Sequence, residues 1–259
     1  MKKLVTLALM ATLLPAAAFC QNQAPAFTKA EMDAAQSDPM RYTIDPDSVR
    51  VELVSKTITA PAPAERGVIG SIVTIINIAN KIWGIIKDNA PVAEVETKYA
   101  AAVPEGASSP NQLCEWKGPE TYEYKLTAKN MYGGETVSVK YKVVFSYGGK
   151  FDNKGRYLTG VTIVPGAINV SWGYKLAMSA FVPDTTIVNL GTYEDPLAAM
   201  QLKLSTKIAT VLKEWDGNSV YLIKGTGEMK EIVSPFAQPR VEKLSSAKAL
   251  LNPSLVFGR

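Results

Sequence analysis

The chain has 259 residues, a formal net charge of +4 and an apolar content of 47 %. This length allows one large domain or two small ones, and the apolar content is sufficient for a sizeable hydrophobic core. The sequence contains no histidine, which excludes His-based catalytic triads and zinc sites with His ligands. The charge is too balanced, and too free of dense Lys or Arg runs, to indicate nucleic-acid binding.

Residues 1–20 have the three parts of a secretory signal peptide. Two lysines precede an uncharged apolar stretch, and a proline followed by small residues closes the segment. The apolar stretch is shorter than the roughly 20 residues that a membrane-spanning helix requires. We therefore expect a secreted or periplasmic protein, with the signal cleaved after Ala18 or after Cys20.

The cleavage site decides how many cysteines the mature chain retains. Phe19 stands before Cys20, at a position where a lipidated cysteine normally has a small residue, so lipid anchoring is not expected. Cleavage after Ala18 leaves a Cys20–Cys114 disulfide as one option in an oxidising compartment, whereas cleavage after Cys20 leaves Cys114 alone. In either case, folding must depend mainly on a hydrophobic core.

The N-terminal region, residues 21–66, is predicted to contain one short helix and one strand. Thr28 and Glu31 fit a capping box, in which each side chain accepts a hydrogen bond from a free backbone N–H. This pattern predicts a helix over residues 29–36. Residues 48–59 are rich in Val and Thr, with apolar and charged positions alternating, and this predicts a strand.

Residues 67–90 have apolar side chains at steps of three and four, which predicts an amphipathic helix over 67–89. Its broad apolar face includes Ile76 and Trp83. Its many β-branched residues lower the helix propensity, so contacts must stabilise it. The favoured placement is against a sheet. The alternative is insertion into lipid, in the manner of some pore-forming proteins, with Ile76 and Trp83 contacting the membrane.

Residues 91–235 are predicted to form an antiparallel β-sandwich of about seven to nine strands. Apolar and polar residues alternate over 122–128 and 137–147, and residues 152–155 have the composition of a hairpin loop. A further alternating stretch over 168–178 predicts a single strand. The fold class is therefore mainly β, with one long amphipathic helix and the short N-terminal helix.

Residues 197–215 fit both a strand and a helix, because apolar residues occur there at both spacings. A strand is favoured, since Asp216 and Gly217 and the apolar run at 220–223 complete a hairpin pattern. The tail at 236–259 contains several prolines and is predicted to be loosely attached.

The leading functional prediction is an exported, non-enzymatic binding or interaction protein. The sequence has no CxxC, Walker A, GxGxxG or GxSxG motif, so redox, nucleotide-binding and α/β-hydrolase functions are not indicated, and no cofactor or metal is predicted. The expected partner is an extracytoplasmic glycan, lipid surface or protein. The alternatives are a membrane-active protein that inserts helix 67–89, and a carboxylate-based hydrolase. Glu194 and Asp195 are the nearest acidic pair for the hydrolase, although a solvated loop is the favoured interpretation of that pair.

Aromatic residues at turns and strand ends are the predicted ligand contacts, because loops at the ends of a sandwich often carry recognition. They are Tyr132, Tyr147, Tyr157 and Tyr193. Trp172 and Tyr174 could stack on a sugar or a lipid headgroup. Their place on the apolar side of an alternating stretch favours the core instead.

Overall fold

A computed structural model describes residues 27–58, 75–77, 81–87, 99–107 and 109–234, with the backbone alone at 75–77 and 81–87. The predicted signal peptide, residues 59–74 after the first strand and the C-terminal tail lie outside these residues.

The described part of the chain contains one α-helix, α1 (Lys29–Ser37), and twelve strands. The strands are β1 (Arg50–Ile58), β2 (Ile75–Asn77), β3 (Lys81–Lys87), β4 (Ala100–Pro104), β5 (Lys117–Lys129), β6 (Glu135–Phe151), β7 (Lys154–Val170), β8 (Tyr174–Phe181), β9 (Val188–Asn189), β10 (Ala198–Thr210), β11 (Glu214–Lys224) and β12 (Met229–Val233).

The strands form two six-stranded antiparallel sheets. In the first sheet the order is β1-β5-β6-β7-β4-β2. In the second sheet the order is β12-β11-β10-β8-β3, and the short β9 is the sixth strand, which pairs with β10. The prediction of a mainly β protein built of antiparallel strands is therefore confirmed. The N-terminal β1 is part of the first sheet, where it pairs with β5.

The helix α1 begins as its sequence predicts. The Thr28 hydroxyl accepts a hydrogen bond from the Glu31 backbone N–H, and the Glu31 carboxylate accepts one from the Thr28 backbone N–H at 2.7 Å. Both halves of the predicted capping box are therefore present.

Alternation produces the long central strands β5 and β6. On β5, Tyr122 and Tyr124 face the core, while Glu123 and Lys125 lie on the other face. Successive side chains of a strand point to opposite faces, so a period of two places every apolar side chain on one side. The same rule holds along most of β6.

The prediction of a helix over 67–89 is wrong, because β2 and β3 lie within that range. Ile76 lies opposite Val103 of β4, and Trp83 lies opposite Ala180 of β8. The physical reason is the density of β-branched Ile and Val, which pack well in a sheet and lose side-chain freedom in a helix. Among the described residues, no helix is long and apolar enough to cross a membrane.

Two hairpins follow the predicted pattern. Asp152 and Asn153 form the turn between β6 and β7, with positive φ angles of 50° and 60° that suit a two-residue hairpin. The ambiguous residues 197–215 form β10 and the start of β11, so the favoured strand interpretation is confirmed.

The prediction of a single strand over 168–178 is wrong. β7 ends at Val170, β8 begins at Tyr174, and a turn separates them. Gly173 in this turn has a φ of +81°, and a Cβ at this position would lie 2.6 Å from the ring of Tyr42. Because the chain turns here, Trp172 is exposed whereas Tyr174 is buried.

The two sheets share one hydrophobic core. Residues of β5, β6 and β7 in the first sheet and of β8, β10 and β11 in the second belong to the same cluster of buried side chains. The hydroxyls of Tyr141 on β6 and Tyr221 on β11 lie 2.8 Å apart, which joins the sheets by a buried hydrogen bond.

Candidate ligand-binding site

Four large apolar or aromatic side chains are exposed at the end of the molecule where β6 begins. They belong to three chain segments: the loop after α1, the β5–β6 turn and the β7–β8 turn. Each exposes between 46 and 63 % of its surface. We call this set the aromatic end; its members are Met40, Met131, Tyr132 and Trp172.

Hydrogen bonds hold the first two segments together. The backbone N–H of Met131 lies 3.3 Å from the carbonyl oxygen of Met40 and 3.2 Å from that of Thr43. The Asn130 side-chain amide also donates to the carbonyl of Arg41 at 3.3 Å. These bonds link residues that are far apart in the sequence, so they hold the backbones of Met40 and Met131 next to each other.

Two hydrogen bonds hold Tyr132, one at its backbone and one at its side-chain hydroxyl. Its backbone N–H donates to the Asn130 side-chain oxygen at 3.1 Å, and its hydroxyl donates to the Asp38 carboxylate at 3.0 Å. The second bond raises the pKa of the Tyr132 hydroxyl, because a donated bond to a carboxylate favours the protonated form. An exposed tyrosine anchored in this way loses little conformational freedom when a ligand binds.

Trp172 rests on a stack of buried tyrosines. Its ring meets Tyr42 edge to face with the centroids 5.9 Å apart, and Tyr42 stacks on Tyr174 at 6.5 Å. The Tyr174 hydroxyl donates to the carbonyl of Arg41. Burial raises the pKa of Tyr174 to about 12, so this donor keeps its proton at neutral pH. One side of Trp172 is therefore supported while nearly half of its surface is exposed.

A polar cavity of about 210 Å³ lies between the start of β6 and the end of β7. We call it the polar hollow. Its lining residues are Glu135, Thr136, Ser138, Asn169, Val170 and Ser171.

The register of the two strands explains how the polar hollow is built. Ser138 lies opposite Asn169, and the Ser171 backbone N–H donates to the Thr136 carbonyl at 2.8 Å. The Thr136 hydroxyl donates to the carbonyl of Ala128. The side chains of Ser138, Asn169 and Ser171 form no hydrogen bond with any other residue that the structure describes, so they are free to bond a ligand.

The opposite end of β6 carries the other predicted contacts. β6 has 17 residues, a length of about 55 Å at 3.3 Å per residue. There the Asp195 carboxylate accepts hydrogen bonds from the Gly155 backbone and from Arg156, at 3.1 and 3.0 Å. Asp195 thus fixes the β6–β7 hairpin, in agreement with the favoured interpretation of Glu194 and Asp195 as a loop.

The four predicted tyrosines occupy different environments. Tyr132 belongs to the aromatic end, and Tyr193 is 76 % exposed near the opposite hairpin. Tyr147 is partly buried and packs on the core. The surface prediction for Tyr157 is wrong, because its ring is buried; Gly155, near the start of β7, lies directly against that ring.

The remaining predicted residues give less information. Ile76 and Trp83 are described by their backbone alone, on β2 and β3. Cys114 is partly buried, and Cys20 lies outside the described residues, so their disulfide stays a prediction. Sequence reasoning missed Trp172 as a surface residue, although Ser171 and Gly173 on either side of it are a turn signal.

A buried cluster of tyrosines contains residues of both sheets. Tyr124 stacks on Tyr141 with centroids 5.5 Å apart and contacts Tyr221 at 5.2 Å. Burial raises the pKa of all three hydroxyls. Glu231 of the edge strand β12 approaches this cluster and has its Oε1 atom buried without a hydrogen-bond partner. Burial also raises the pKa of the Glu231 carboxyl, while Ser219 and Ser234 partly oppose that rise.

The buried carboxylate of Glu120 is paired. Its Oε2 lies 3.1 Å from the Lys56 ammonium and accepts a hydrogen bond from the Tyr122 hydroxyl. The Glu120 side chain is 4 % exposed and that of Lys56 is 44 % exposed. Hydrogen bonds to Tyr122 and Glu120 raise the pKa of Lys56. This group joins the edge strand β1 to β5.

Within the described ranges, no group of three or more Cys, Asp or Glu side chains is arranged to hold a metal ion. Comparisons with protein-family models, with curated proteins and with solved structures find no match to this chain.

Proposed function

We propose that the chain is an exported recognition protein that binds a ligand at its aromatic end without catalysing a reaction. The observation that carries this proposal is that three separate segments bring four exposed side chains to one end of the molecule, where hydrogen bonds and ring contacts hold these segments in place. Exposed Trp and Tyr residues supply much of the binding energy at protein recognition sites, and Met adapts to irregular surfaces. The predicted signal peptide supports export.

The scaffold suits this role. We infer that the two sheets pack face to face as a sandwich, because they share one core and a buried hydroxyl–hydroxyl bond. Turns at the end of such a scaffold are held by rigid strands, and they commonly carry binding residues. The β5–β6 and β7–β8 turns, two of the three segments of the aromatic end, are of this kind.

The two alternatives have less support. The membrane-insertion alternative depends on a helix over 67–89, and this segment contains the strands β2 and β3 instead. The carboxylate of Asp195, one of the acidic pair considered for hydrolysis, is bonded to Gly155 and Arg156 after the β6–β7 turn. Ligand recognition is therefore the function we propose.

Three probe classes test this proposal: printed neutral and acidic glycans, a peptide array, and vesicles of phosphatidylcholine with phosphatidylglycerol. We expect one class to bind the wild type and to bind the double variant Tyr132→Ala/Trp172→Ala at least about tenfold more weakly. The matched control is Tyr193→Ala, which removes a still more exposed aromatic ring at the opposite end. Binding that the double variant retains, or no binding to any probe, contradicts the proposal.

A further inference from the structure

We propose that the ligand of the aromatic end is a neutral saccharide, with one sugar ring in the polar hollow and an adjoining ring against Trp172. This inference rests on the proposed function and adds the chemical class of the ligand. Four properties of the site support it: its hydrogen-bonding groups, its charge, its size and its neighbouring aromatic face.

The free polar groups match those of a sugar. The hydroxyls of Ser138 and Ser171 and the amide of Asn169 each donate and accept hydrogen bonds. Sugar hydroxyls do the same, so each protein group finds a partner whichever direction the bond takes. Because these three side chains bond no other described residue, a sugar does not have to break an existing bond to reach them.

The charge of the hollow disfavours an acidic ligand. Glu135 is the charged side chain among the lining residues. Its carboxylate lies 3.6 Å from the Lys125 ammonium, a pair with both partners well exposed, so solvent screens their attraction. No Lys or Arg is among the described lining residues, so a carboxylate or sulfate placed in the hollow would find no cation there and would meet the screened like charge of Glu135. Glu135 can instead accept a hydrogen bond from a sugar hydroxyl.

The size of the hollow selects a small polar ring. Its volume of about 210 Å³ is below the range of about 300–1,000 Å³ typical of sites for drug-sized ligands. An extended peptide or an acyl chain requires a longer and more apolar groove. Among the lining residues, Val170 is the apolar one.

Trp172 supplies the neighbouring aromatic face. It directly follows Ser171, which lines the hollow, so their Cα atoms are about 3.8 Å apart. The face of an indole ring carries partial negative charge, and the C–H groups on one face of a sugar ring carry partial positive charge. Trp172 is 48 % exposed, and the proposal places the second sugar ring on this exposed surface while the first is held in the hollow.

The experiment screens the wild type on the printed neutral and acidic glycans and then titrates the best neutral oligosaccharide by calorimetry. We expect about tenfold weaker binding for Asn169→Ala, which loses hydrogen bonds, and for Trp172→Ala, which loses stacking. Trp172→Phe should recover part of the affinity, because it keeps an aromatic face. Tyr193→Ala is the control, and circular dichroism checks that each variant is folded.

The outcomes separate this inference from the proposed function. Preference for acidic glycans, or unchanged neutral-glycan affinity in Asn169→Ala, overturns the saccharide assignment. Binding of peptides or vesicles through Tyr132 and Trp172, without glycan binding, also overturns it but leaves the proposed function standing. A failure of all three probe classes contradicts both.

Discussion

The hydrogen bond between Tyr141 and Tyr221 provides a direct test of how the two sheets are held together. Both rings are almost completely buried, and their hydroxyl oxygens lie 2.8 Å apart. Replacing one tyrosine with phenylalanine removes one hydroxyl and leaves the other buried beside an apolar ring. Tyr221→Phe therefore changes one atom at the centre of the core and keeps the shape of the side chain.

The expected magnitude follows from what each variant leaves unpaired. A buried polar group that loses its partner costs about 1–3 kcal/mol. Ser219 remains as a second hydrogen-bonding neighbour of Tyr141, so Tyr221→Phe should cost about 1–2 kcal/mol. The double variant Tyr141→Phe/Tyr221→Phe leaves neither hydroxyl unpaired, so it should cost no more than the worse single variant.

Urea unfolding followed by circular dichroism measures these free energies, and the four proteins form a double-mutant cycle. The control is Tyr157→Phe. It removes the hydroxyl of another buried ring, and that hydroxyl bonds no other residue in the described part of the chain. Its free energy of unfolding should stay within about 0.5 kcal/mol of the wild type. Additive costs for Tyr141→Phe and Tyr221→Phe would refute the reasoning, because they would show that the two hydroxyls act independently.

Two further predictions concern buried carboxylates. Glu231→Gln should stabilise the protein at pH 7 and have little effect below pH 4.5, the ordinary pKa of the carboxyl. Burial raises the pKa of Glu231 in the folded state, so the wild type loses stability as the pH rises from 4.5 through the folded-state pKa. Urea midpoints across this pH range test it against the exposed control Glu228→Gln, and a pH-independent difference would contradict it. Lys56→Met should lower the free energy of unfolding by about 1 kcal/mol, because the buried Glu120 carboxylate loses its cation. This cost is smaller than for a fully buried ion pair, since the Lys56 ammonium is partly exposed to solvent. Lys140→Met, at an exposed position, is its control, and equal urea midpoints for the two variants would show that the ion pair contributes nothing.

The central strands are predictable from the sequence because local signals agree there. The period-two pattern of β5 and β6, and Asp152 and Asn153 at the hairpin, all favour the same antiparallel arrangement. The segment at 67–89 misleads because a dense apolar run satisfies helical and strand spacing together. Its β-branched composition was the better signal.

The candidate site was predictable only in part. Tyr132 follows a strand and precedes two glycines, so its exposure at a turn can be read locally. The anchoring of its hydroxyl by Asp38 depends on a contact between distant parts of the chain, which no local pattern reports. Trp172 shows a different difficulty: apolar alternation continues across the turn from Val170 to Tyr174, so the break in the strand is hidden.

The strand order also has a kinetic consequence. β5, β6 and β7 follow one another along the chain and pair as neighbours, so they can form early with little loss of chain entropy. The pairing of β3 with β8 instead brings together Lys87 and Leu176, and that contact requires a long loop to close. Folding rates fall as contacts become less local. We therefore expect the β5–β7 meander to act as the folding nucleus, with β1 and β3 joining the edges late.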